Sequence, residues 1–330
     1  MTRRLTIRRE AWPLAGAFTI SRGSRTEAVV VVVELKQNGR IGRGECVPYP
    51  RYGETVENVI TMIRDHEADL TAGLEREALR ATMPAGAARN AIDCALWDLE
   101  AKLSGIPVVE AAGLTPPPPV TTAYTISLGT PEVMFAAAQK AKERPLLKVK
   151  LGGEGDEERI AAVREVAPQS VLIVDANEAW NEAGLAASVA ACATAGVALI
   201  EQPLPSAHDD ALRGTDFPVP ICADESLHVA ADLEKIRDRY DAVNIKLDKT
   251  GGLTEALATL KRAQELKFKV MIGCMVGTSL AMAPALLLTA EAAFVDLDAP
   301  LLLSRNRDPG LIYDGSIIRG YDSALWGGIA

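Results

Sequence analysis

Eight short aliphatic segments recur through the last two-thirds of this 330-residue chain, each ending in a polar residue and followed by an Ala-rich helical stretch. Their ends fall at Thr125, Lys150, Asp175, Glu201, Asp224, Lys246, Cys274 and Asp296, spaced by 25, 25, 26, 23, 22, 28 and 22 residues. One strand with its helix and connections takes about that length, so the pattern predicts eight parallel strands. Eight such strands close into a barrel, and barrel chemistry gathers where the C-terminal strand ends meet. An open doubly wound sheet is the alternative. It fits less well, because no G-x-G-x-x-G follows the first strand and polar residues stand at every strand end, not at one switch point.

The N-terminal part has a different rhythm. Arg25 to Lys36 carries the Val29–Val33 run, and Gln37-Asn38-Gly39-Arg40 is a hairpin turn signal leading to a return strand, Ile41 to Cys46. From Glu54 to Gly105 the period becomes helical. Ile92, Leu96, Leu99 and Leu103 fall on one helix face, and Gly105-Ile106-Pro107 ends it. Pro116 to Pro119 cannot join a sheet ladder and marks a domain boundary. After Asp298 no full helix pattern follows. Residues 299–330 read as irregular and are expected to fold back on the first domain.

Composition removes several function classes. With 35 Lys+Arg against 44 Asp+Glu the net charge is −9, which argues against nucleic-acid binding. The longest aliphatic run, Ala28 to Val33, is too short to span a bilayer. No apolar stretch follows the basic first ten residues, so no signal peptide is expected. Five cysteines without a C-x-x-C pair read as reduced thiols in the cytoplasm. Three histidines leave no His-rich zinc site.

The strand ends carry the chemistry. Three consecutive ones are carboxylates: Asp175, Glu201 and Asp224. Neighbouring strands lie about 4.8 Å apart, so three like charges converge, and a hard divalent cation resolves their repulsion. Oxygen-only ligands favour Mg²⁺ over Zn²⁺. Singly, each acid would more often cap a helix or pair with a base. Lys148 and Lys150 alternate around Val149, so both point to one side. Lys246 ends the sixth strand, four away from the second in a ring of eight. A molecule held on the metal then has a lysine on each face, which is what inversion through a planar intermediate requires. Metal charge, the second lysine and desolvation are expected to favour the neutral amine that a base needs, against a reference pKa of about 10.4. Lys148 could stay cationic against a developing oxyanion. The alternative for the lysines is a structural ion network. On the eighth strand Asp296 and Asp298 face the barrel mouth and suit a cationic group such as an ammonium; a capping role is the alternative for either one.

Taken together, Lys148-x-Lys150, Asp175-Ala-Asn, Glu201-Gln-Pro, Ala223-Asp224-Glu225-Ser226 and Asn244-Ile-Lys246 with Thr250-Gly-Gly resemble the enolase superfamily, muconate-lactonizing-enzyme-like subgroup. Asp296-x-Asp298 is similar to the dipeptide epimerases of that subgroup. Ser21-Arg22-Gly-Ser-Arg25, Pro48 to Gly53 and Pro84 to Asn90 resemble the bacterial L-Ala-D/L-Glu epimerases.

The resemblance implies a (β/α)7β barrel, TIM-barrel-like, over residues 118–300. Residues 1–117 would form an α+β capping domain, with 301–330 packing back on it. It implies Mg²⁺, with Mn²⁺ as a substitute, on Asp175, Glu201 and Asp224, and acid/base catalysis by Lys150 and Lys246. Lys148 would contact the substrate carboxylate, and Asp296 and Asp298 the dipeptide ammonium. Thr125 and the main chain near Cys274 and Val276 would line the pocket. A capping-loop arginine, matched to Arg25 with Arg22 close by, would pair with a glutamate side chain.

The expected activity is therefore isomerisation of a dipeptide: epimerisation of L-Ala-D/L-Glu by 1,1-proton transfer through a metal-stabilised enediolate, in murein peptide recycling. Rivals in the same subgroup are N-acylamino-acid racemase, o-succinylbenzoate synthase and cycloisomerase. A metal-containing ligand-binding barrel is the non-enzyme rival. The expected partner is a small dipeptide, with assembly into a homo-oligomer left open.

Overall fold

The computed structural model describes residues 3–328. The N-terminal cap is an antiparallel sheet, β1 (Arg4–Ile20), β2 (Gly23–Gln37) and β3 (Arg40–Cys46), in the order β1-β2-β3. Asn38 and Gly39 both take positive φ, at 52° and 79°, as the expected two-residue turn requires. The sequence reading missed β1. It is an edge strand carrying Arg4, Arg8 and Arg9, mostly exposed on its outer face, so no apolar run announces it.

Helices α1 (Val56–Asp65), α2 (Glu67–Ala72), α3 (Arg76–Thr82) and α4 (Ala87–Ser104) follow, with a single turn at Val108–Ala111 after them. Ile92, Leu96 and Leu99 are buried as their spacing predicts, but Leu103 is 37% exposed. Lys102 already reaches the Ile41 carbonyl at the start of β3, so Leu103 lies past the edge of the sheet. β3 approaches α4 closely because two of its inward positions are Gly42 and Gly44. A Cβ on Gly44 would run into the backbone of Ala91 and Ala95. Gly44→Ala should therefore lower stability by about 1–3 kcal/mol, read as a fall in the urea midpoint. An unchanged midpoint would mean that the strand can back away.

Residues 120–296 carry β4 (Val120–Thr121) and then eight parallel strands: β5 (Tyr124–Ile126), β6 (Leu146–Lys150), β7 (Val171–Asp175), β8 (Val197–Glu201), β9 (Ile221–Ala223), β10 (Ala242–Ile245), β11 (Lys269–Gly273) and β12 (Phe294–Asp296). They pair in chain order. The Ala123 amide donates to the Val295 carbonyl at 2.8 Å, bringing the first strand against the last. The sheet is thus a nearly closed barrel beneath a separate cap, not an open doubly wound sheet.

Strand periodicity sets the interior in layers. Ala123, Leu146, Ile173, Leu199, Cys222, Ala242 and Met271 form a buried apolar plug. Two residues further along the strands the same inward direction presents Thr125, Lys148, Asp175, Glu201, Asp224, Asn244 and Asp296. The polar layer therefore stands on a dry floor at the C-terminal ends.

The tail is not irregular. It contains a one-turn helix, Ala299–Leu302, and a hairpin of β13 (Leu311–Asp314) and β14 (Ile317–Tyr321). β14 pairs with β4, just after the proline run. Turn residues such as Asp314-Gly315 hid these short strands among glycines. The end of the tail reaches the cap, where Trp326 is buried and its indole donates to the Cys94 carbonyl at 2.9 Å.

Candidate active site

Five successive strands bring lysine, aspartate, glutamate, aspartate and lysine to one rim. Lys150 of β6 pairs in register with Asp175 of β7, and Asp175 with Glu201 of β8. Asp224 and Lys246 follow directly on β9 and β10. Carboxylate oxygens of Asp175, Glu201 and Asp224 lie within 4.8 Å of one another, and all three residues are buried. Each lysine sits on its own side of this cluster: Lys150 Nζ is 2.6 Å from Asp175 Oδ2, and Lys246 Nζ is 2.6 Å from Asp224 Oδ2.

Lys148 occupies the space between the triad and the eighth strand. Its Nζ lies 2.6 Å from Glu201 Oε2, 2.8 Å from Asp296 Oδ2 and 3.2 Å from Asp175 Oδ2. Burial alone would push its pKa down, but Asp296, Glu201 and Asp175 outweigh burial and hold it well above the usual lysine range. The same balance holds at Lys246, where Asp224 and Glu201 overcome desolvation and raise the pKa. Burial and the Lys148 charge both act towards the expected neutral Lys246, but among the described residues the acids outweigh them. Asp175 and Asp224 are correspondingly held low despite burial, by Lys150 with Lys148 and by Lys246 with Lys249. Glu201 goes the other way, raised by burial and by Asp175.

The donor set fits a divalent cation. It is all oxygen, and Glu201 Oε2 makes no hydrogen bond although buried: the Lys148 amine approaches it at 2.6 Å but at an unfavourable angle. Three buried acids whose oxygens converge within 4.8 Å, one of them with an oxygen free of hydrogen bonds, offer the ligands that a hard divalent cation takes.

Several groups that hold the triad escaped the sequence reading. Asn244 Nδ2 donates to Glu201 Oε1 at 2.8 Å. Gly273 leaves room for it, since a Cβ there would strike the Asn244 amide. Lys249 Nζ bonds Asp224 Oδ1 at 2.6 Å and the Asn244 carbonyl at 2.9 Å. Gln202 is buried at φ 35°, and its Oε1 accepts from the Asp224 amide at 2.8 Å. The spacing Lys246-x-x-Lys249, one helical turn, was the available signal for Lys249. Nothing local marks Asn244 or Gln202 beyond their place in the strand-end segments.

A cavity of about 40 Å³ opens beside Asp224, between Lys150 and Lys246. Among the expected site residues, Lys150, Asp224, Lys246, Cys274, Val276 and Arg25 line it. Thr125, Lys148, Asp175, Glu201, Asp296 and Asp298 are buried outside its lining. Asp298 Oδ2 accepts from the Thr125 amide at 2.7 Å, and Asp296 Oδ1 is buried without a hydrogen-bond partner among the described residues. Burial, then Asp296, pushes Asp298 up to about 7.

The two arginines of the β1–β2 tip separate cleanly. Arg22 spans to the barrel, donating to the Asn177 carbonyl at 2.8 Å, Glu225 Oε1 at 2.7 Å and Tyr49 OH at 3.0 Å. The Arg25 side chain makes no hydrogen bond or ion pair among the described residues. Its guanidinium stands 5.4 Å from the centre of the Phe18 ring, over the cavity.

Residues 133–305 match the family model for the enolase C-terminal domain-like fold, and residues 2–113 match that for the mandelate racemase/muconate lactonizing enzyme N-terminal domain. The chain belongs to the enolase superfamily. Among its superfamily relatives, the L-Ala-D/L-Glu epimerase of Escherichia coli K12 is 49% identical, over 94% of this chain and 97% of that protein. The N-acetyl-D-glutamate racemase of a Pseudoalteromonas species is 44% identical, over 91% and 95%. An enolase family member from Agrobacterium tumefaciens with homology to dipeptide epimerases, crystallised with sodium and L-Ala-L-Glu and an ordered loop, superposes with a TM-score of 0.97. It is 52% identical, over 98% of this chain and 100% of that one. The dipeptide epimerase of Cytophaga hutchinsonii, complexed with Mg and D-Ala-L-Val, superposes at 0.90 with 26% identity, over 100% and 96%.

Proposed function

We propose that this superfamily member is a Mg²⁺-dependent isomerase, an L-Ala-D/L-Glu epimerase that inverts the α-carbon of the C-terminal residue. The observation that carries the reading is the strand order Lys150-Asp175-Glu201-Asp224-Lys246, which sets two amines on either side of one acidic cluster and opens both into one cavity. The relatives crystallised with Ala-Glu and with Mg support it.

Asp175, Glu201 and Asp224 would hold the cation; Mn²⁺ suits the same oxygens. Bound there, it supplies positive charge beside the substrate carboxylate and offsets the acid charge that keeps Lys246 protonated. With the α-carbon between the lysines, one neutral amine takes the α-proton. The C–H electron pair moves into the carboxylate, giving a planar enediolate, and the opposite ammonium returns a proton to the other face. Lys148, cationic by virtue of its three acid neighbours, faces the oxygen that gains charge. Arg25, with no acid of its own, receives the glutamate side chain, while Arg22 is committed to holding the β1–β2 tip on the barrel. Thr125 and the main chain at Cys274 and Val276 complete the walls.

Asp296 and Asp298 would bind the free ammonium. Asp298 is a buried carboxyl pushed up to about 7, short of a cation, and a substrate ammonium supplies one. An N-acylamino acid cannot. The 44% identical racemase makes that class the second reading, and pH separates the two. Asp298 is ionised only above about pH 7, so kcat/KM for L-Ala-L-Glu should fall by about tenfold per pH unit below it. Turnover of an N-acyl glutamate shares the lysine base but not Asp298, so over the same range it should fall less steeply, by about tenfold less per pH unit. Asp298→Asn should lower kcat/KM for the dipeptide by about 10- to 100-fold, the worth of a charge-assisted hydrogen bond. An N-acyl substrate turned over faster than the dipeptide, with no Asp298 dependence, would install the second reading.

The direct test is solvent exchange. The protein with Mg²⁺ and L-Ala-L-Glu in D₂O should lose the glutamate α-proton signal by NMR and yield the second diastereomer. Neither exchange nor a new diastereomer would remove the epimerase reading, and binding without exchange would point to a ligand-binding barrel. A cytoplasmic place in murein peptide recycling goes with this substrate.

A further inference from the structure

One short segment is gripped from both domains at once. The helical turn Leu247–Thr250 follows Lys246 directly, and all four of its residues are buried. On its inner side Lys246 and Lys249 both bond Asp224. On its outer side it meets the cap. Asp248 Oδ1 accepts from Asn90 Nδ2 of α4 at 2.8 Å and from the Val47 amide at 3.0 Å. Arg89 Nη2 donates to the Thr250 carbonyl at 2.6 Å and its Nε to the Gly251 carbonyl at 3.1 Å. Gly251 sits at φ 74°, and any Cβ there would strike the Arg89 guanidinium. α4 therefore touches this turn with no slack.

Lys150 has no such hydrogen-bonded tether: on the cap side its amine stands 5.9 Å from the centre of the Phe18 ring of β1. Its strand β6 pairs with β5 and β7, and among the described residues its amine bonds only Asp175. No hydrogen bond joins Val149, Lys150 or Leu151 to a cap side chain among the described residues.

We propose that Asn90 is a positioning residue for one base of the pair: through Asp248 it sets the turn that carries Lys246, and it leaves Lys150 alone. The inference rests on the two-lysine reading above. Asn90 is itself 2% exposed and held in place, with its Oδ1 accepting from the Cys94 thiol at 3.2 Å. Losing its amide leaves the Asp248 oxygen with one donor and lets the start of the turn, beside Lys246, shift, while Arg89 still holds its far end at Thr250 and Gly251. A displacement near 1 Å at a reacting group costs about 10²-fold in rate.

The consequence is directional, which a general loss of stability is not. Initial loss of the α-proton in D₂O is measured separately from L-Ala-L-Glu and L-Ala-D-Glu, with Mg²⁺ present. The isomer served by Lys246 is the one whose exchange Lys246→Ala abolishes. For that isomer Asn90→Ala should lower exchange by about 10- to 100-fold, with KM little changed. The other isomer should lose less than about threefold. Asp248→Ala should repeat the asymmetry. Asp248→Asn should restore it towards wild type, because an amide oxygen still accepts from Val47 and Asn90. Should Asn90→Ala fail to fold, Asn90→Ser and the Asp248→Ala/Asn pair decide the same point. Equal losses for both isomers, or none, would overturn the proposal. A wild-type protein that exchanges neither isomer would instead overturn the epimerase reading beneath it.

Discussion

Lys150→Ala and Lys246→Ala should each lower epimerisation of L-Ala-L-Glu by about 10³-fold or more, near the upper range for loss of a positioned acid or base. The two losses should differ in kind. Inversion needs a proton taken on one face and returned on the other, so either deletion blocks it. Exchange at a single stereoisomer needs only one face, so each variant should still wash deuterium into one diastereomer while leaving the other untouched. The two variants should spare opposite isomers, because their lysines stand on β6 and β10, four strands apart, beside Asp175 and Asp224 respectively. Wild-type turnover in both variants, or the same isomer spared in both, would end the two-base mechanism.

The second large effect concerns the cation. Chelation should reduce epimerisation to background, a loss of several kcal/mol in transition-state stabilisation and hence about 10³-fold or more, and added Mg²⁺ should restore it. Glu201→Gln should lose most activity even with Mg²⁺, since Glu201 is the acid whose oxygen lacks a hydrogen bond. The readout need not be activity alone. A cation that binds the folded chain at a hundred times its Kd adds about 2.7 kcal/mol of stability, so Mg²⁺ should raise the melting temperature of the wild type more than that of Glu201→Gln. An equal rise in both would place the ion elsewhere.

Much of this is legible in the sequence alone. The spacing of 22 to 28 residues announced the barrel, and strand periodicity with polar ends placed Asp175, Glu201 and Asp224 together, because a parallel strand can point its last inward side chain only at the mouth. The Asn38-Gly39 turn and the core face of α4 followed from short-range rules for the same reason: turn geometry and helical period act within a few residues. β1 and the tail hairpin were missed, since an edge strand full of arginine and two short strands among glycines carry little period-two signal.

Local pattern therefore settled which elements form and which residue types reach the barrel mouth, as these depend on sequence neighbours. Which partner each charge takes is a matter of distance through space, and only the fold set it. Lys148 lodges between Glu201 and Asp296; the acids, not burial, govern Lys246; Arg22 holds the β1–β2 tip while Arg25 is spared; and Asn90 reaches Asp248 across 158 positions of chain. Coulomb and hydrogen-bond energies change steeply over an ångström, and no periodicity along a chain encodes separations that fine.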